Sequence, residues 1–284
     1  MRGKILIILF LVTGFIWWRA VLASPAELKV AFLDIGQGDA IYIEAPNGNQ
    51  VLIDGGPGRG VLRALGEVMP WSDKTLDLVI ATHPDADHIG GLPAVLERYE
   101  VAGVMDNGQP SNTQIYRTWQ AAAAAEVEAG AKKILAQRGE RVILGDGIYL
   151  DILYPFGVPT GKDTNDGSVV AKLTYGASSY LLIGDATIKV EQQLLNQDPN
   201  ILKTEVLKAG HHGSKTSSGP EFVAAVKPEY AIISVGKDNR YGHPHQVTLD
   251  TLVTAGAKIL RTDESGTITC VSDSVVTTCR PKAL

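Results

Sequence analysis

The stretch His83–His88 holds the residues of this chain that are best suited to chemistry. Two imidazoles and two carboxylates, His83, Asp85, Asp87 and His88, lie within six consecutive positions. Such a mixture of nitrogen and oxygen ligands suits a borderline or hard divalent ion, Zn²⁺ or Mn²⁺. Alternate side chains of an extended turn point the same way, so His83 and Asp85 are expected to bind one ion and Asp87 and His88 a second. The motif therefore predicts a metal-binding loop.

The histidines outside this loop are grouped as well. All six histidines of the chain lie in three short motifs, each of which follows a predicted strand or lies in a loop rich in Gly or Pro. The other two motifs contain His211 and His212, and His243 and His245. A structural role is the better interpretation of any one histidine, but six in three motifs favour a common site.

Two aspartates that directly follow apolar runs extend the set of candidate ligands. An unpaired carboxylate at the end of a buried strand costs free energy. Asp185 follows Leu181–Ile183, and it either caps the next helix or bridges two metal ions. Asp54 follows Ile53, and its carboxylate is placed to hydrogen-bond a liganding histidine. Four basic residues near these motifs are candidate phosphate contacts, although a solvated surface position is the simpler interpretation of each lysine: Lys208, Lys215, Lys237 and Arg240.

The apolar pattern around these motifs predicts the elements that must position them. Asp77–Thr82 reads as a buried strand that leads into the metal loop, and Ile89–Tyr99 as the helix after it. Pro46–Asn49 is typical of a hairpin turn. Short strands dominate the rest of the chain and helices occur at intervals, which indicates packed sheets with helices outside. We expect one domain over residues 25–284.

The N-terminus differs in character from this domain. Arg2 and Lys4 precede an uncharged apolar run, Ile5–Trp18, so residues 1–24 are predicted to be a membrane anchor or a cleaved signal peptide. Both alternatives place the domain outside the cytoplasm because the positive end stays inside. Cys270 and Cys279 then form a disulfide across a hairpin, whereas a cytosolic location would leave two thiols.

The charge of the chain limits the kinds of partner. The net charge is -5, and the part after the N-terminal segment holds 23 basic and 31 acidic residues. An acidic domain does not bind nucleic acid nonspecifically over its whole surface. A nucleic-acid contact would need a local basic patch or bound metal ions.

Taken together, these motifs resemble the metallo-β-lactamase fold. The resemblance is closest to the extracytoplasmic metallo-hydrolase domain of ComEC-type DNA-uptake channels, and it covers about residues 28–270. It departs from β-lactamases at Asp85, where most of the superfamily has histidine, and in lacking a histidine between His88 and Asp185. A third departure is that one N-terminal apolar segment is not enough to form the membrane channel of those proteins. The motifs that carry the resemblance are Asp34–Ala40, Asp54–Gly56, His83–His88, Asn165–Ser168, Gly184–Ala186, Leu207–Ser217 and Tyr241–His245.

The resemblance implies an αβ/βα sandwich of two mixed sheets with external helices. It implies a hydrolase with two divalent ions, Mn²⁺ or Zn²⁺, that clamp a scissile phosphate and activate water. DNA, in single-stranded form, is the expected substrate, and the DNA-uptake machinery a possible partner. The alternatives are an esterase for phosphorylated envelope polymers, such as phosphorylcholine esters, and a catalytically silent binding protein. The expected metal ligands are His83, Asp85, Asp87, His88, Asp185 and His212, and the expected catalytic residues are Asp87, His211 and His243.

Overall fold

A computed structural model describes residues 13–14, 27–145 and 147–282 of the chain. The strands in these ranges are β1 (Leu28–Phe32), β2 (Ile41–Glu44), β3 (Gln50–Ile53), β4 (Thr75–Leu76), β5 (Leu78–Ala81), β6 (Glu100–Val101), β7 (Gly103–Asp106), β8 (Lys132–Leu135), β9 (Arg141–Gly145), β10 (Ile148–Tyr154), β11 (Val170–Tyr175), β12 (Ser178–Leu182), β13 (Val206–Lys208), β14 (Tyr230–Ile233), β15 (Lys258–Arg261), β16 (Ile268–Ser272) and β17 (Thr277–Pro281). The α-helices are α1 (Gly60–Val68), α2 (Ala86–Ile89), α3 (Leu92–Arg98), α4 (Gln114–Glu128), α5 (Ile188–Gln197), α6 (Pro220–Val226), α7 (Gln246–Thr254) and α8 (Thr262–Ser265).

Two mixed sheets contain all of these strands except β4 and β6, which pair with each other. The first sheet has the order β17-β16-β1-β2-β3-β5-β7-β8 and becomes parallel from β3 onward. The second has the order β15-β14-β13-β12-β11-β10-β9 and is parallel from β12 to β15. The predicted turn at Pro46–Asn49 joins the antiparallel strands β2 and β3.

The two sheets face each other across one apolar core, to which both contribute buried side chains such as Val30, Ile80, Leu150 and Leu182. The outer face of the first sheet is covered by α1, α3 and α4, and that of the second by α5, α6 and α7. Because both faces of the central strands are covered, strands such as β3 and β5 are buried at every position. The expected αβ/βα sandwich of two mixed sheets with external helices is therefore confirmed.

This architecture brings the carboxyl ends of strands from both sheets to one edge of the sandwich. Asp54 follows β3, the metal loop follows β5, Asp185 follows β12, and His211 follows β13. The strands themselves are rigid and apolar, whereas the segments after them carry the polar residues. The candidate site is consequently built from the ends of four strands.

The helix predicted at Ile89–Tyr99 is divided in the structure. The short helix α2 ends at Ile89 and α3 begins at Leu92, with Gly90 and Gly91 between them. The amide of Gly91 donates to the carbonyl of Gly56, and a side chain at either glycine would overlap backbone carbonyl oxygens of the neighbouring loop. The glycines thus permit a close backbone approach that a continuous helix would prevent.

Cys270 and Cys279 form a disulfide between the paired strands β16 and β17, so the predicted pairing across a hairpin is confirmed. The N-terminal anchor or signal peptide predicted at residues 1–24 lies outside the described residues, apart from positions 13–14. Among the residues that the structure describes, a search for helices of membrane-spanning length and apolarity finds none.

Candidate metal centre

The loop after β5 forms the floor of the candidate centre. His83 is buried, and its Nε2 is 3.6 Å from Oδ2 of Asp85. The chain then turns into α2, which places Asp87 and His88 in its single turn and directs them toward the second sheet. Asp87 remains partly exposed and His88 is fully buried. All four candidate ligands of the motif therefore come from one short segment of backbone.

Asp54 holds two parts of this loop in place. Its Oδ1 accepts from the amide of Thr82 at 2.8 Å, and its Oδ2 accepts from the Thr82 hydroxyl at 2.7 Å. Oδ2 also lies 2.8 Å from Nδ1 of His88. A histidine whose Nδ1 donates to a carboxylate presents its Nε2 to a metal in a fixed orientation. Asp54 therefore has the orienting position that its place after β3 predicted.

Hydroxyl groups fix the other side of the loop. Nδ1 of His83 lies 3.0 Å from the Thr82 hydroxyl and 3.3 Å from that of Ser168. Thr164 donates to Oδ1 of Asp85 at 2.7 Å. These contacts engage one polar atom of each side chain, which leaves the His83 Nε2 and the second Asp85 oxygen directed toward the centre.

Asp185 connects the loop to the second sheet. Its Oδ2 is 3.3 Å from Nε2 of His88 and 3.4 Å from Nε2 of His212. Its amide donates to the hydroxyl of Ser168 at 3.2 Å. The cap of the helix that follows, α5, is Thr187. Asp185 therefore faces the histidine cluster, and the helix-capping alternative is wrong.

His211 and His212 occupy the left-handed region of backbone conformation, with φ of 48° and 53°. This conformation costs a non-glycine residue about 1–2 kcal/mol of free energy. Backbone strain of this kind is typical of functional sites. Nδ1 of His212 lies 2.9 Å from the carbonyl of Ser234, so its Nε2 points at Asp185 and at Asp87, 3.5 Å away. Nδ1 of His211 lies 3.0 Å from the Thr216 hydroxyl, and its Nε2 is 3.8 Å from Asp185.

Lys208 lies directly beneath the cluster. Its side chain is fully buried, and Nζ is 2.5 Å from Oδ2 of Asp39 and 3.2 Å from the carbonyl of Gly184. Asp39 in turn lies 3.4 Å from Nδ1 of His212. The surface interpretation of Lys208 is wrong, because the side chain is fully buried and its ammonium lies between Asp39, which precedes β2 of the first sheet, and Gly184, which follows β12 of the second. The ammonium of Lys208 balances the negative charge of Asp39 and Asp185, and it is not exposed to a phosphate at the surface.

The cluster has the properties of a site for divalent cations. Buried polar atoms without a hydrogen-bond partner converge there: His83 Nε2, His88 Nε2, His212 Nε2 and Asp185 Oδ1. Three of these residues, His83, His88 and Asp185, can offer ligand atoms within 4.8 Å of one another, as can Asp87, His88 and His212. Two overlapping groups of imidazole and carboxylate are the donor set that a pair of divalent ions requires, so the residues fit the expected metals.

Electrostatics support the same interpretation. Burial by itself lowers the pKa of His88, but the carboxylates of Asp185 and Asp54 raise it well above its usual value. Burial raises the pKa of Asp185, but His212 and His88 lower it well below its usual value overall. The carboxylates therefore favour positive charge at the imidazoles, and a divalent cation can supply that charge in place of protons.

A second group of rings borders the cluster on its open side. The ring of His243 lies 5.6 Å from that of His211, with the planes at 79°, and 4.9 Å from that of His245. Burial and the neighbouring histidines lower the pKa of His243 to about 4. Nδ1 of His245 accepts from the amide of Lys215 at 3.2 Å, which ties the two loops together.

The structure brings every predicted site residue to this one edge of the sandwich. His83, Asp87, His88, Asp185 and His212 form the centre, Asp85 borders it, and His211 and His243 lie at its opening. Sequence reasoning did not give a role to Asp39, Thr82 or Thr164. Of these, only Asp39 carried a usable signal, because a charged residue between a glycine turn and a strand is a candidate for burial with a partner.

Comparison with known proteins is consistent with this geometry. A family model described as the Metallo-beta-lactamase superfamily matches residues 33–237. ComE operon protein 3 of Bacillus subtilis is 37% identical over 266 residues, which cover 86% of this chain and 33% of that protein. Competence protein ComA of Neisseria gonorrhoeae is 32% identical over 262 residues, which cover 91% of this chain and 34% of that protein. The chain thus spans about a third of the length of these relatives.

Solved structures share the architecture. Igni18, a metallo hydrolase from Ignicoccus hospitalis, superposes with a TM-score of 0.52 at 16% identity, over 86% of this chain and 98% of that one. At this identity the likeness shows the fold alone. Because the family model covers most of the sandwich together with the buried ligand cluster, this chain belongs to the metallo-beta-lactamase superfamily, with competence proteins among its relatives.

Proposed function

We propose that the chain is a two-metal phosphodiesterase that hydrolyses DNA outside the cytoplasm. The observation that carries the proposal is the buried, unpartnered set of imidazole and carboxylate atoms at the meeting edge of the sheets. His83, Asp85 and Asp185 would hold one ion, and Asp87, His88, His212 and Asp185 the other. Such ions, when bound, neutralise phosphate charge and make water a stronger nucleophile at neutral pH.

The oxygen-rich ligand set favours phosphodiesters over lactams. Asp85 stands where most of the superfamily has histidine, and Asp87 and Asp185 add further carboxylates. Hard oxygen ligands favour Mn²⁺, whereas the imidazoles allow Zn²⁺, and a hard ion fits the chemistry of phosphoryl oxygens. A site of this kind is therefore better matched to an anionic phosphodiester than to a neutral amide.

Two further residues act on the substrate directly in this proposal. His211 and His243 border the opening of the cluster, where the N–H groups of their rings can donate hydrogen bonds to charge that develops on the phosphate. Hydrolysis adds water across one P–O bond, so the leaving oxygen takes up a proton. In this proposal His211 supplies it, and His243, whose pKa of about 4 keeps its ring neutral at neutral pH, donates a hydrogen bond to the developing charge. Asp54 orients His88 and does not contact the substrate.

DNA as the substrate is supported by the names of the relatives, which are competence proteins. A role beside the DNA-uptake machinery follows from the same relatives. In this proposal residues 1–24 anchor or export the hydrolase domain, residues 25–284. The disulfide Cys270–Cys279 supports an oxidising location outside the cytoplasm.

One alternative keeps the same site with another substrate. The net charge of -5 fits a phosphorylated envelope polymer, such as a phosphorylcholine ester, as readily as it fits DNA. A catalytically silent binding protein is disfavoured, because a site without catalysis would not need the complete ligand set. Substrate choice is therefore the point that an experiment must decide.

The full-length chain, purified in detergent, is incubated with single-stranded DNA in Mn²⁺, in Zn²⁺ or in chelator. We expect cleavage with metal and none with chelator. No cleavage under either metal, with turnover of a phosphorylcholine ester instead, would contradict the nuclease.

The ligand assignment is tested by metal content. The double variant Asp85→Ala, Asp185→Ala is expected to lose bound ions in elemental analysis, whereas Asp151→Ala is not, since Asp151 pairs with Arg141 on the second sheet. Retention of two ions by the double variant would show that the assignment is wrong.

A further inference from the structure

An exposed aromatic ring lies beside the candidate metal centre. Tyr241 is 48% exposed, and its ring stacks on that of His243, with centroids 5.7 Å apart and planes 25° apart. His243 contacts the ring of His211, whose Nε2 approaches Asp185. A continuous series of rings therefore leads from the buried cluster to solvent, and it ends at Tyr241.

The loop that carries this ring is held in one conformation by Asn239. Nδ2 of Asn239 donates to the carbonyls of Gly236, at 3.0 Å, and His243, at 2.7 Å. Its Oδ1 accepts from the amides of Tyr241, at 3.2 Å, and His243, at 3.0 Å. Four hydrogen bonds to one side chain preorganise the loop, so a ligand that contacts the ring pays little of the entropy of ordering it.

Positive charge accompanies the ring. Nη2 of Arg240 donates to the hydroxyl of Tyr241 at 2.9 Å, and the guanidinium lies over the ring with its carbon 5.0 Å from the ring centroid. Arg240 is exposed, and the ring that it contacts stacks on His243 at the opening of the cluster. Lys215 and Lys237 are also exposed on the same pair of loops.

We propose that Tyr241 is a stacking platform for one unpaired base of a single-stranded nucleic acid. The base takes the place over the ring that the Arg240 guanidinium occupies in the free chain. Arg240 and Lys215 then contact the phosphates that flank this base, and the next phosphodiester enters the metal centre. The inference rests on the proposed function and adds to it a residue that binds one base of the single strand. It assigns to this loop a binding role that the ligand set by itself does not require.

Single strands fit this surface better than the other candidates do. Exposed aromatic rings next to cationic side chains are the usual means of binding single-stranded nucleic acid, because every unpaired base offers a π-face. The bases of a duplex are already stacked on each other and offer no such face. A choline headgroup also binds to aromatic rings, but the guanidinium of Arg240 beside this ring would repel a quaternary ammonium.

The test measures binding apart from turnover. The full-length chain in detergent and chelator is titrated into a fluorescein-labelled dT12 oligonucleotide, and the dissociation constant is read by fluorescence anisotropy. Tyr241→Ala is expected to weaken binding by about 5- to 100-fold, and Tyr241→Phe by no more than about 3-fold, because the ring is kept. Trp71→Ala is the matched control. Trp71 is also an exposed aromatic residue, at 87%, but it lies before the start of β5, whereas the metal loop follows the end of this strand.

A second probe separates stacking from charge. An abasic oligomer of the same length is expected to bind the unmodified chain more weakly than dT12 does. The abasic oligomer is also expected to bind the unmodified chain and the Tyr241→Ala variant with equal affinity.

Equal affinity of dT12 for the unmodified chain and for Tyr241→Ala would overturn the proposal. The absence of dT12 binding, tighter binding of duplex DNA, or competition by phosphocholine that depends on Tyr241 would overturn it as well. The binding experiment needs no hydrolysis, so base-dependent binding supports the stacking platform even if no cleavage is observed. Cleavage of DNA without base-dependent binding would support the proposed nuclease and contradict the stacking platform.

Discussion

At the scale of single residues, Asp54 is not one of the proposed metal ligands, but it orients several groups of the site. One carboxylate accepts from the amide and hydroxyl of Thr82 and from the ring of His88. Thr82 is in turn in contact with the ring of His83. The orientation of two imidazoles therefore depends on a single buried anion.

Replacing Asp54 by Asn tests this dependence. An amide presents one acceptor oxygen and an NH₂ group, so it cannot accept from the Thr82 amide at one position and from the Thr82 hydroxyl and His88 at the other. We expect the Asp54→Asn variant to bind metal about 10- to 100-fold more weakly, as measured by competition with a chromogenic chelator. The control is Asp77→Asn, which also removes a carboxylate that accepts a backbone amide but lies at the opposite end of β5. Equal metal affinity in Asp54→Asn and the unmodified chain would contradict this role.

Gly38 is a second residue on which the loop depends. Both Gly36 and Gly38 have positive φ, but only at Gly38 would an added methyl overlap the carbonyl of Asp87. We expect each change to alanine to cost about 1–2 kcal/mol of stability from backbone strain. Only Gly38→Ala should also weaken metal binding, because it displaces the backbone of a ligand. Comparison of the two variants by urea unfolding and chelator competition checks this, and identical metal affinities would rule it out.

At the scale of elements, helix α5 is tied to the segment that follows His211 and His212. Glu191 on this helix is buried and accepts from the amides of Ser218, at 2.5 Å, and Gly219, at 2.9 Å, and from the hydroxyl of Ser217 at 3.1 Å. The Ser217 hydroxyl also lies 2.6 Å from the carbonyl of Ala186, so these two acceptors share its one hydrogen. The helix thereby fixes the loop between β13 and α6 without contact with the centre.

The ionisation of Glu191 gives a pH-dependent prediction. Burial raises its pKa to about 7, although its three hydrogen bonds favour the anion. The folded chain then holds the proton more tightly than the unfolded chain. The resulting stability is fully present below the unfolded pKa of about 4.5 and is lost as the pH rises through about 7. Between pH 5 and pH 8 the free energy of unfolding should fall by about 2–3 kcal/mol relative to Glu191→Gln. A constant difference in urea unfolding would count against this.

At the scale of the whole molecule, the centre exists only because two sheets meet. The first sheet supplies the loop after β5 and the orienting Asp54, and the second supplies Asp185 and the histidines after β13. The disulfide Cys270–Cys279 lies in the outer strands of the first sheet, away from this edge. Stability of the sandwich and assembly of the centre can therefore be measured separately.

Removing the disulfide tests that separation. Closing a loop of this length stabilises a fold by about 2–3 kcal/mol. We expect the Cys270→Ala, Cys279→Ala variant to lose that amount in urea unfolding, and the unmodified chain in reductant to match it. Metal content per folded molecule should stay the same in both. A loss of bound metal at unchanged fold would show that the strand pair supports the centre.

Much of the fold and of the site could be predicted from the residues in order. The apolar run before His83, the turn at Pro46–Asn49 and the aspartate after β12 reflect short-range patterns, which a linear sequence displays directly. The division of the helix at Gly90–Gly91 could not be predicted, because it depends on the approach of a loop more than thirty residues away in the sequence. Local propensity does not contain such a contact.

By itself, the sequence determined which ligand types are present, the Asp85 substitution that separates this chain from lactamases, and the family resemblance. Only the tertiary structure decided that Lys208 is buried against Asp39 and that Tyr241 stands exposed at the end of a series of rings. The physical reason is that residue type sets the chemistry of a side chain, whereas its burial and its partners are set by segments that pack from both sheets.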